Sequence, residues 1–71
     1  MSLQKRSLKL AGHATSLALE PEFWRVLEDE AAARDLSLAA LVRQIDEGRG
    51  PANLASACRL AALRAALERG T

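Results

Sequence analysis

The stretch TSLALEPEFWRVLEDEAAARDLSLAALVRQI, from Thr15 to Ile45, decides the fold. It opens with Thr15–Leu19, where leucines alternate with smaller residues in the manner of a half-buried strand. Pro21 follows, and proline suits the first turn of a helix because the amide hydrogen that it lacks would have no partner there. Apolar residues then recur every four positions, as on one face of a helix. The stretch therefore predicts a strand followed by a helix from about residue 21 to 34.

A second helix is predicted after the short connection Asp35-Leu36-Ser37. Ser37 is a good N-cap because its hydroxyl can accept from the free N–H groups of the next turn. The residues after it have helical apolar spacing, at Leu38, Leu41, Val42 and Ile45. Gly48-Arg49-Gly50-Pro51 ends this helix, since glycine favours a C-cap and proline cannot continue the hydrogen bonding.

A third helix is predicted from about residue 53 to 69, with Asn53 as its N-cap. It carries two apolar stripes, Leu60, Leu63 and Leu67 on one and Leu54, Ala57, Cys58 and Ala61 on the other. Such a helix is expected to be buried on more than one side. In so short a chain, we expect another subunit to cover the second side.

Upstream of the deciding stretch, Ser7-Leu8-Lys9-Leu10 has its leucines on even positions, whereas Thr15–Leu19 has them on odd ones. One regular strand cannot place both sets on the same face, so Gly12 between them predicts a turn or a bulge. Residues 1–6 are polar and are predicted to form a mobile basic arm, and residues 7–71 a single domain.

The composition limits how the chain can be stabilised and what chemistry it can perform. With 71 residues it forms at most one domain and buries only about 60% of its unfolded surface. A single cysteine, Cys58, excludes an internal disulfide, and His13 and Cys58 alone cannot complete a zinc site. Self-association is the remaining source of stability, with an idealised helical monomer as the alternative.

No arrangement of residues indicates an enzyme or a cofactor. Asp46 and Glu47 are adjacent, so they diverge on a helix. His13 is interpreted as a turn residue, and Cys58 as a small buried hydrophobe. No apolar run approaches the roughly 18 residues that span a membrane, and the unpaired cysteine suits a cytoplasmic protein.

The charge is distributed unevenly, although the net charge is only +1. Lys5, Arg6 and Lys9 precede any acidic residue, because the first acid is Glu20. Two interpretations stay open for these three residues: contacts to a DNA backbone, or ordinary solubilising charge near a mobile end.

The order of elements from Thr15 to Ile45 resembles the ribbon-helix-helix family of Arc/MetJ-type repressors. RSLKLAGHA upstream and NLASACRL downstream extend the likeness to a bacterial subgroup with an added C-terminal helix. The resemblance implies a mainly α fold with a short β-ribbon, in which strands of two chains pair antiparallel. It further implies an intertwined homodimer, or a tetramer, with no separate monomer core.

The resemblance also implies a function and a site. The protein would be a transcriptional regulator, a repressor, whose ribbon enters the major groove of double-stranded DNA. Thr15, Leu17 and Leu19 would face the core. The residues implied to contact DNA are Ala14, Ser16 and Ala18 on the outward ribbon face, Lys5, Arg6 and Lys9 in the arm, and Ser37 and Leu38 at a phosphate clamp where the second helix begins.

The chain departs from the family pattern at the ribbon itself. Two of the three outward positions are alanine, which can only touch a thymine methyl group, so direct base readout is expected to be poor. For Ser16, a plain solvent-facing strand residue is the competing interpretation. The alternative function is a protein–protein oligomerisation module or antitoxin-like adaptor, favoured by the broadly apolar third helix and the alanine-rich ribbon.

Overall fold

A computed structural model, which describes residues 2–69, shows two strands followed by three helices. The elements are β1 (Gln4–Leu10), β2 (His13–Leu19), α1 (Pro21–Ala33), α2 (Leu38–Gly48) and α3 (Leu54–Glu68). All three helices lie where the sequence predicts them, and both strands begin before the alternating runs 7–10 and 15–19 that indicated them. The expected class, mainly helical with a short β-ribbon and an added C-terminal helix, is confirmed.

The ribbon is an antiparallel hairpin formed within one chain, with β1 paired to β2 from Leu10↔His13 to Gln4↔Leu19. Its turn consists of Ala11 and Gly12, both at positive φ, +53° and +86°. That combination is typical of the tight turn whose twist matches that of two paired strands. The hairpin explains the change of parity in the sequence, because opposite residues in this register share a face.

One expectation about the ribbon is corrected by this pairing. Residues 1–6 were expected to form a mobile arm, but Gln4, Lys5 and Arg6 lie in β1 opposite Leu19, Ala18 and Leu17. The pairing of strands from two chains, which the resemblance implied, stays a prediction beside this hairpin of a single chain. Met1 of the predicted arm, and Gly70 and Thr71 of the predicted domain, lie outside the described residues.

The helix ends follow local hydrogen-bonding rules. The hydroxyl of Ser37 accepts from the backbone N–H of Ala40 at 3.0 Å, and the Asn53 side chain accepts from that of Ser56 at 2.8 Å. Both predicted N-caps are therefore confirmed. At the end of α1, the N–H of Leu36 donates to the carbonyl of Ala31 at 2.8 Å. This bond closes the helix across Asp35, which has a φ of +57°. A residue in that left-handed conformation is common at helix C-termini.

A continuous apolar core lies between the ribbon and the helices. The largest fully buried side chains are Trp24, Leu19, Leu27, Val42 and Cys58. Leu17 and Leu19 face this core and Thr15 is half-buried, as the family resemblance implied. The radius of gyration is 11.5 Å, close to the roughly 11 Å of a compact domain of this length. A single chain thus encloses a core, contrary to the implication that none exists without a twin.

The third helix has a buried side and an exposed apolar side. Small residues, Cys58, Ala62 and Ala65, line the buried side and let α3 pack closely against α1 and α2. The opposite side carries Leu60, Leu63 and Leu67, which are 49%, 51% and 63% exposed. We call these three residues the leucine stripe. The prediction of two apolar sides is confirmed, and within the described chain only one of them is covered.

Two ion pairs link the third helix to the first. Arg59 of α3 donates to Glu20, the residue before α1, at 2.9 Å. Arg69, the residue after α3, donates to Glu30 of α1 at 3.0 Å. The hydrogen bond from Arg59 lowers the pKa of the Glu20 carboxyl below its ordinary value of 4.5. Folding therefore favours the ionised form of Glu20.

We predict a pH-dependent loss of stability from Glu20→Gln. A carboxyl whose pKa is lowered on folding stabilises the protein above the unfolded pKa, and that contribution is lost as pH falls through the folded pKa. The variant should therefore unfold at a lower urea concentration than the wild type at pH 7, and the difference should shrink as pH falls below about 4.5.

The measurement is urea unfolding followed by circular dichroism between pH 7 and 3. Asp29→Asn, at an exposed position of α1, serves as the control for removal of one negative charge. A difference between Glu20→Gln and the wild type that is the same at every pH would contradict the prediction.

Candidate nucleic-acid interface

The outer face of the hairpin presents six residues, which we call the ribbon face. They are Lys5, Ser7 and Lys9 of β1 and Ala14, Ser16 and Ala18 of β2. All are exposed except Ala18, which is half-buried. In the strand register Lys5 lies opposite Ala18, Ser7 opposite Ser16, and Lys9 opposite Ala14. Each lysine thus faces an alanine, and the two serines face each other at the centre.

In this arrangement, short side chains occupy the centre of the ribbon face and a lysine lies at each end. Lys5 and Lys9 are four residues apart, so their Cα atoms lie about 13 Å apart at a rise of ~3.3 Å per residue. Serine and alanine side chains are short, so they leave the backbone of both strands accessible between the lysines. Hydroxyls donate and accept hydrogen bonds, whereas alanine offers only a methyl group. The face can therefore contact phosphates at its ends and small polar or apolar groups at its centre.

All formal charge on the ribbon face is positive. It contains no acidic residue, because the first acid of the chain, Glu20, follows β2. Within residues 2–69, neither lysine takes part in an ion pair. The positive charge of Lys5 and Lys9 is therefore available to an external anion.

Sequence reasoning missed Ser7, although it identified Ser16. It assigned the outward-facing contacts to the second strand alone and treated the basic residues as an arm. The signal that could have found Ser7 is the alternation in Ser7-Leu8-Lys9-Leu10, which turns Ser7 and Lys9 away from the side of the leucines.

Arg6 does not belong to the ribbon face. Its guanidinium lies over the Trp24 ring, 4.7 Å from the centroid, and donates to Glu28 at 2.7 Å. The predicted group of Lys5, Arg6 and Lys9 is therefore divided, since successive residues of a strand point to opposite faces. Lys5 and Lys9 remain on the ribbon face, whereas Arg6 contacts Trp24 and Glu28 of α1.

Ser37 and Leu38, the predicted phosphate clamp, lie at the start of α2. The Ser37 side chain caps the helix, and Leu38 is half-buried against the core. The first turn of α2 has no acidic residue, so the partial positive charge of the helix N-terminus is not offset locally. Neither residue is part of the ribbon face, and their role as a clamp stays a prediction.

Arginines of α2 and the loop after it are paired with acids. Arg49 donates to Asp46 at 2.6 Å and also to the carbonyl of Ala52, and Arg43 donates to Glu47 at 3.2 Å. Asp46 and Glu47 thus turn to different arginines, as expected of neighbours on a helix. The ion pair with Asp46 offsets the positive charge of Arg49.

The remaining candidates for chemistry lie apart from one another. Cys58 is fully buried, and burial, aided by the negative charge of Asp46, raises the pKa of its thiol to about 11. His13 is exposed at the start of β2. Across residues 2–69, no three His, Cys, Asp or Glu side chains gather where they could hold a metal ion. In that same part of the chain, no helix has the length and apolar character needed to cross a membrane.

A shallow groove of about 270 Å³ runs between α2 and α3, beside the leucine stripe. Its wall includes Ile45, Ala57, Leu60 and Ala61, and Gln44 and Arg64 lie at its polar side. Leu60 belongs both to the groove and to the stripe, so the two form one continuous apolar surface.

Comparison with known proteins identifies relatives of the whole fold. The sequence model of a family described as a ribbon-helix-helix domain matches residues 3–66. The structure of an uncharacterised protein from Bordetella pertussis Tohama I is similar over 97% of this chain, with 38% identity and a TM-score of 0.83. The alignment spans 59% of that protein's length. No curated protein matches this chain.

We predict that Cys58 is unreactive in the folded protein. The thiolate is the nucleophile, and a thiol of pKa about 11 in the core presents little of it. A free cysteine has a pKa of about 8.5, so at pH 8 the folded protein should react with a disulfide reagent roughly a hundredfold more slowly than the unfolded chain. Absorbance of the released thiolate, with and without urea, measures both rates. Equal rates would show that Cys58 is accessible.

Proposed function

This chain belongs to the ribbon-helix-helix family, and we propose that it is a DNA-binding transcription regulator whose ribbon face enters the major groove of double-stranded DNA. Proteins of this family generally bind DNA and form dimers. The observation that carries the proposal is the ribbon face itself. Two unpaired lysines flank a pair of serines on an exposed antiparallel ribbon without acids.

The dimensions of the ribbon suit that groove. The major groove of B-DNA is about 12 Å wide and admits a two-stranded β-ribbon. Lys5 and Lys9 would contact phosphates on its walls, and Ser7 and Ser16 would reach base edges. Ala14 and Ala18 would allow close approach and touch thymine methyl groups. Serine hydroxyls both donate and accept, so they discriminate weakly between bases.

Such an interface derives most of its affinity from phosphates. Contacts to phosphate position a protein on the duplex but carry no direct sequence information. We therefore infer strongly salt-dependent binding with modest sequence preference. We also propose that the backbone N–H groups at the start of α2, at Ser37 and Leu38, hold one phosphate, which the absence of acids in that turn supports.

We further propose that the protein acts as a homodimer, in a repressor role in the cytoplasm. A second copy would double the phosphate contacts, and the leucine stripe offers it a surface. Leu60, Leu63 and Leu67 are spaced by three and then four residues, which is typical of a seam between packed helices. About half or more of each side chain is exposed. Packing against α3 of a second copy would remove these leucines from water.

The second candidate function is an oligomerisation or antitoxin-like adaptor without specific DNA readout. The same leucine stripe and the alanines of β2 favour it. The two candidates differ in what the lysines do: a regulator needs Lys5 and Lys9 for its main activity, whereas an adaptor does not.

For the regulator, we predict that Lys5→Ala/Lys9→Ala weakens DNA binding and flattens its salt dependence. Each lost phosphate contact should reduce the slope of log affinity against log salt by about 1. The measurement is fluorescence anisotropy of a labelled duplex between about 50 and 200 mM salt.

The matched control is Arg25→Ala/Arg64→Ala, which removes two exposed positive charges from helices and leaves the ribbon unchanged. If the proposal is right, this control keeps a slope close to that of the wild type. No binding by the wild type at low salt, or equal slopes for the two double variants, would count against the ribbon face as the DNA contact.

For the homodimer, we predict that Leu63→Gln lowers the mass measured by sedimentation equilibrium toward that of one chain, 7.6 kDa. A polar amide at the centre of the leucine stripe opposes burial between two helices. The fold should remain intact because Leu63 is exposed in the single chain, and circular dichroism checks this. Glu68→Gln, at an exposed position of the same helix about 100° round its axis from Leu67, is the control. An unchanged association constant for Leu63→Gln would place the dimer contact elsewhere.

A further inference from the structure

The N-terminal half of β1 is held by α1 through three contacts. The indole Nε1 of Trp24 donates to the backbone carbonyl of Gln4 at 2.8 Å. The guanidinium of Arg6 lies over the same ring, 4.7 Å from its centroid. Arg6 also donates to Glu28, one turn further along α1, at 2.7 Å. We call Arg6, Trp24 and Glu28 the latch.

The latch grips the strand on both sides of one ribbon-face residue. Gln4 and Arg6 flank Lys5, and successive strand residues point to opposite faces. Fixing residues 4 and 6 against α1 therefore fixes the outward direction of Lys5. This is the open end of the hairpin, where Gln4↔Leu19 is the last pair. An isolated two-stranded hairpin is at best marginally stable in water, so this end depends on what α1 supplies.

The three contacts contribute unequally. Trp24 is 1% exposed, and a buried indole N–H requires an acceptor, which the Gln4 carbonyl provides. The side chains of Arg6 and Glu28 are 34% and 50% exposed, so their ion pair by itself contributes little. Its effect is to orient the guanidinium plane over the ring, which the flexible ammonium of a lysine cannot imitate.

We propose that Arg6 is a positioning residue, which acts through Trp24 and Glu28 to hold Lys5 on the ribbon face and does not itself contact phosphate. This inference rests on the proposed function of the ribbon face. It assigns the third basic residue of β1 a role distinct from that of Lys5 and Lys9. It also gives Glu28, an acid, a favourable effect on the binding of a polyanion.

Substitution at Arg6 separates a positioning role from a phosphate contact. Arg6→Lys keeps the positive charge and loses the stacked plane, so it should weaken DNA binding by roughly two- to fivefold, the size of an exposed cation–π contact. Arg6→Met should weaken binding to a similar extent and leave the salt slope at the wild-type value. Wild-type DNA affinity in Arg6→Lys would assign Arg6 to phosphate and overturn the proposal. A slope of log affinity against log salt that is reduced by about 1 in Arg6→Met would do the same.

Glu28→Ala gives a test of opposite sign. Coulomb's law alone predicts tighter DNA binding after an acid is removed, whereas the latch predicts weaker binding because Arg6 is released from its position. Arg43→Lys and Glu47→Ala, which alter an ion pair of 3.2 Å on α2, are the matched controls. Tighter binding by Glu28→Ala would contradict the latch.

Hydrogen exchange tests the latch without DNA. In Arg6→Lys, and in Trp24→Phe, which removes the indole donor, the backbone amides of residues 4–7 should exchange faster, while those of α2 stay protected. Unchanged exchange at residues 4–7 would overturn the proposal even if the wild type binds DNA. Faster exchange in a protein that fails to bind DNA would leave the latch supported and reject the proposed function of the ribbon face.

Discussion

The antiparallel pairing of β1 with β2 is the constraint on which the rest of the structure depends. Because the turn contains only Ala11 and Gly12, every residue of one strand has a fixed partner on the other. The register places Leu8, Leu10, Leu17 and Leu19 on the side of the helices and leaves the lysines and serines outside. A shift by one residue would turn the leucines to solvent and the lysines to Trp24. Core formation and the display of the ribbon face thus follow from the same set of backbone hydrogen bonds.

Much of this fold could be predicted from local signals. Pro21, Ser37 and Asn53 mark helix starts because each acts within its own turn, and the alternating leucines mark the strands. The inward position of Arg6 and the outward position of Ser7 were missed, since both depend on where β1 begins and on its register. Ala11 gives no sequence signal for a left-handed turn residue, so the hairpin could not be derived from the Ala-Gly pair. The core of the single chain was also missed, because burial by α3 requires knowing which of its two apolar sides turns inward.

The third helix divides its surface by residue size. Small residues on the inner side allow close approach to α1 and α2, while large leucines remain on the outer side. Close packing of small residues completes the core, and hydrophobic area at the outer side is left for association. In the homodimer that we propose, one helix would therefore both close the domain and join it to its twin. Arg59 within α3 and Arg69 just after it pair with Glu20 and Glu30, which lie on the side of α1.

The latch has a practical consequence for spectroscopy. Trp24 is the only tryptophan in the sequence, which has no tyrosine, so fluorescence excited at the long-wavelength edge of indole absorption, where Phe23 does not absorb, arises at one place. That place is the junction between ribbon and helix, where the indole meets a backbone carbonyl and a guanidinium. A shift in wavelength or lifetime therefore reports on that junction alone and needs no attached dye. The molecule carries an intrinsic optical sensor directly beneath the surface that we assign to DNA.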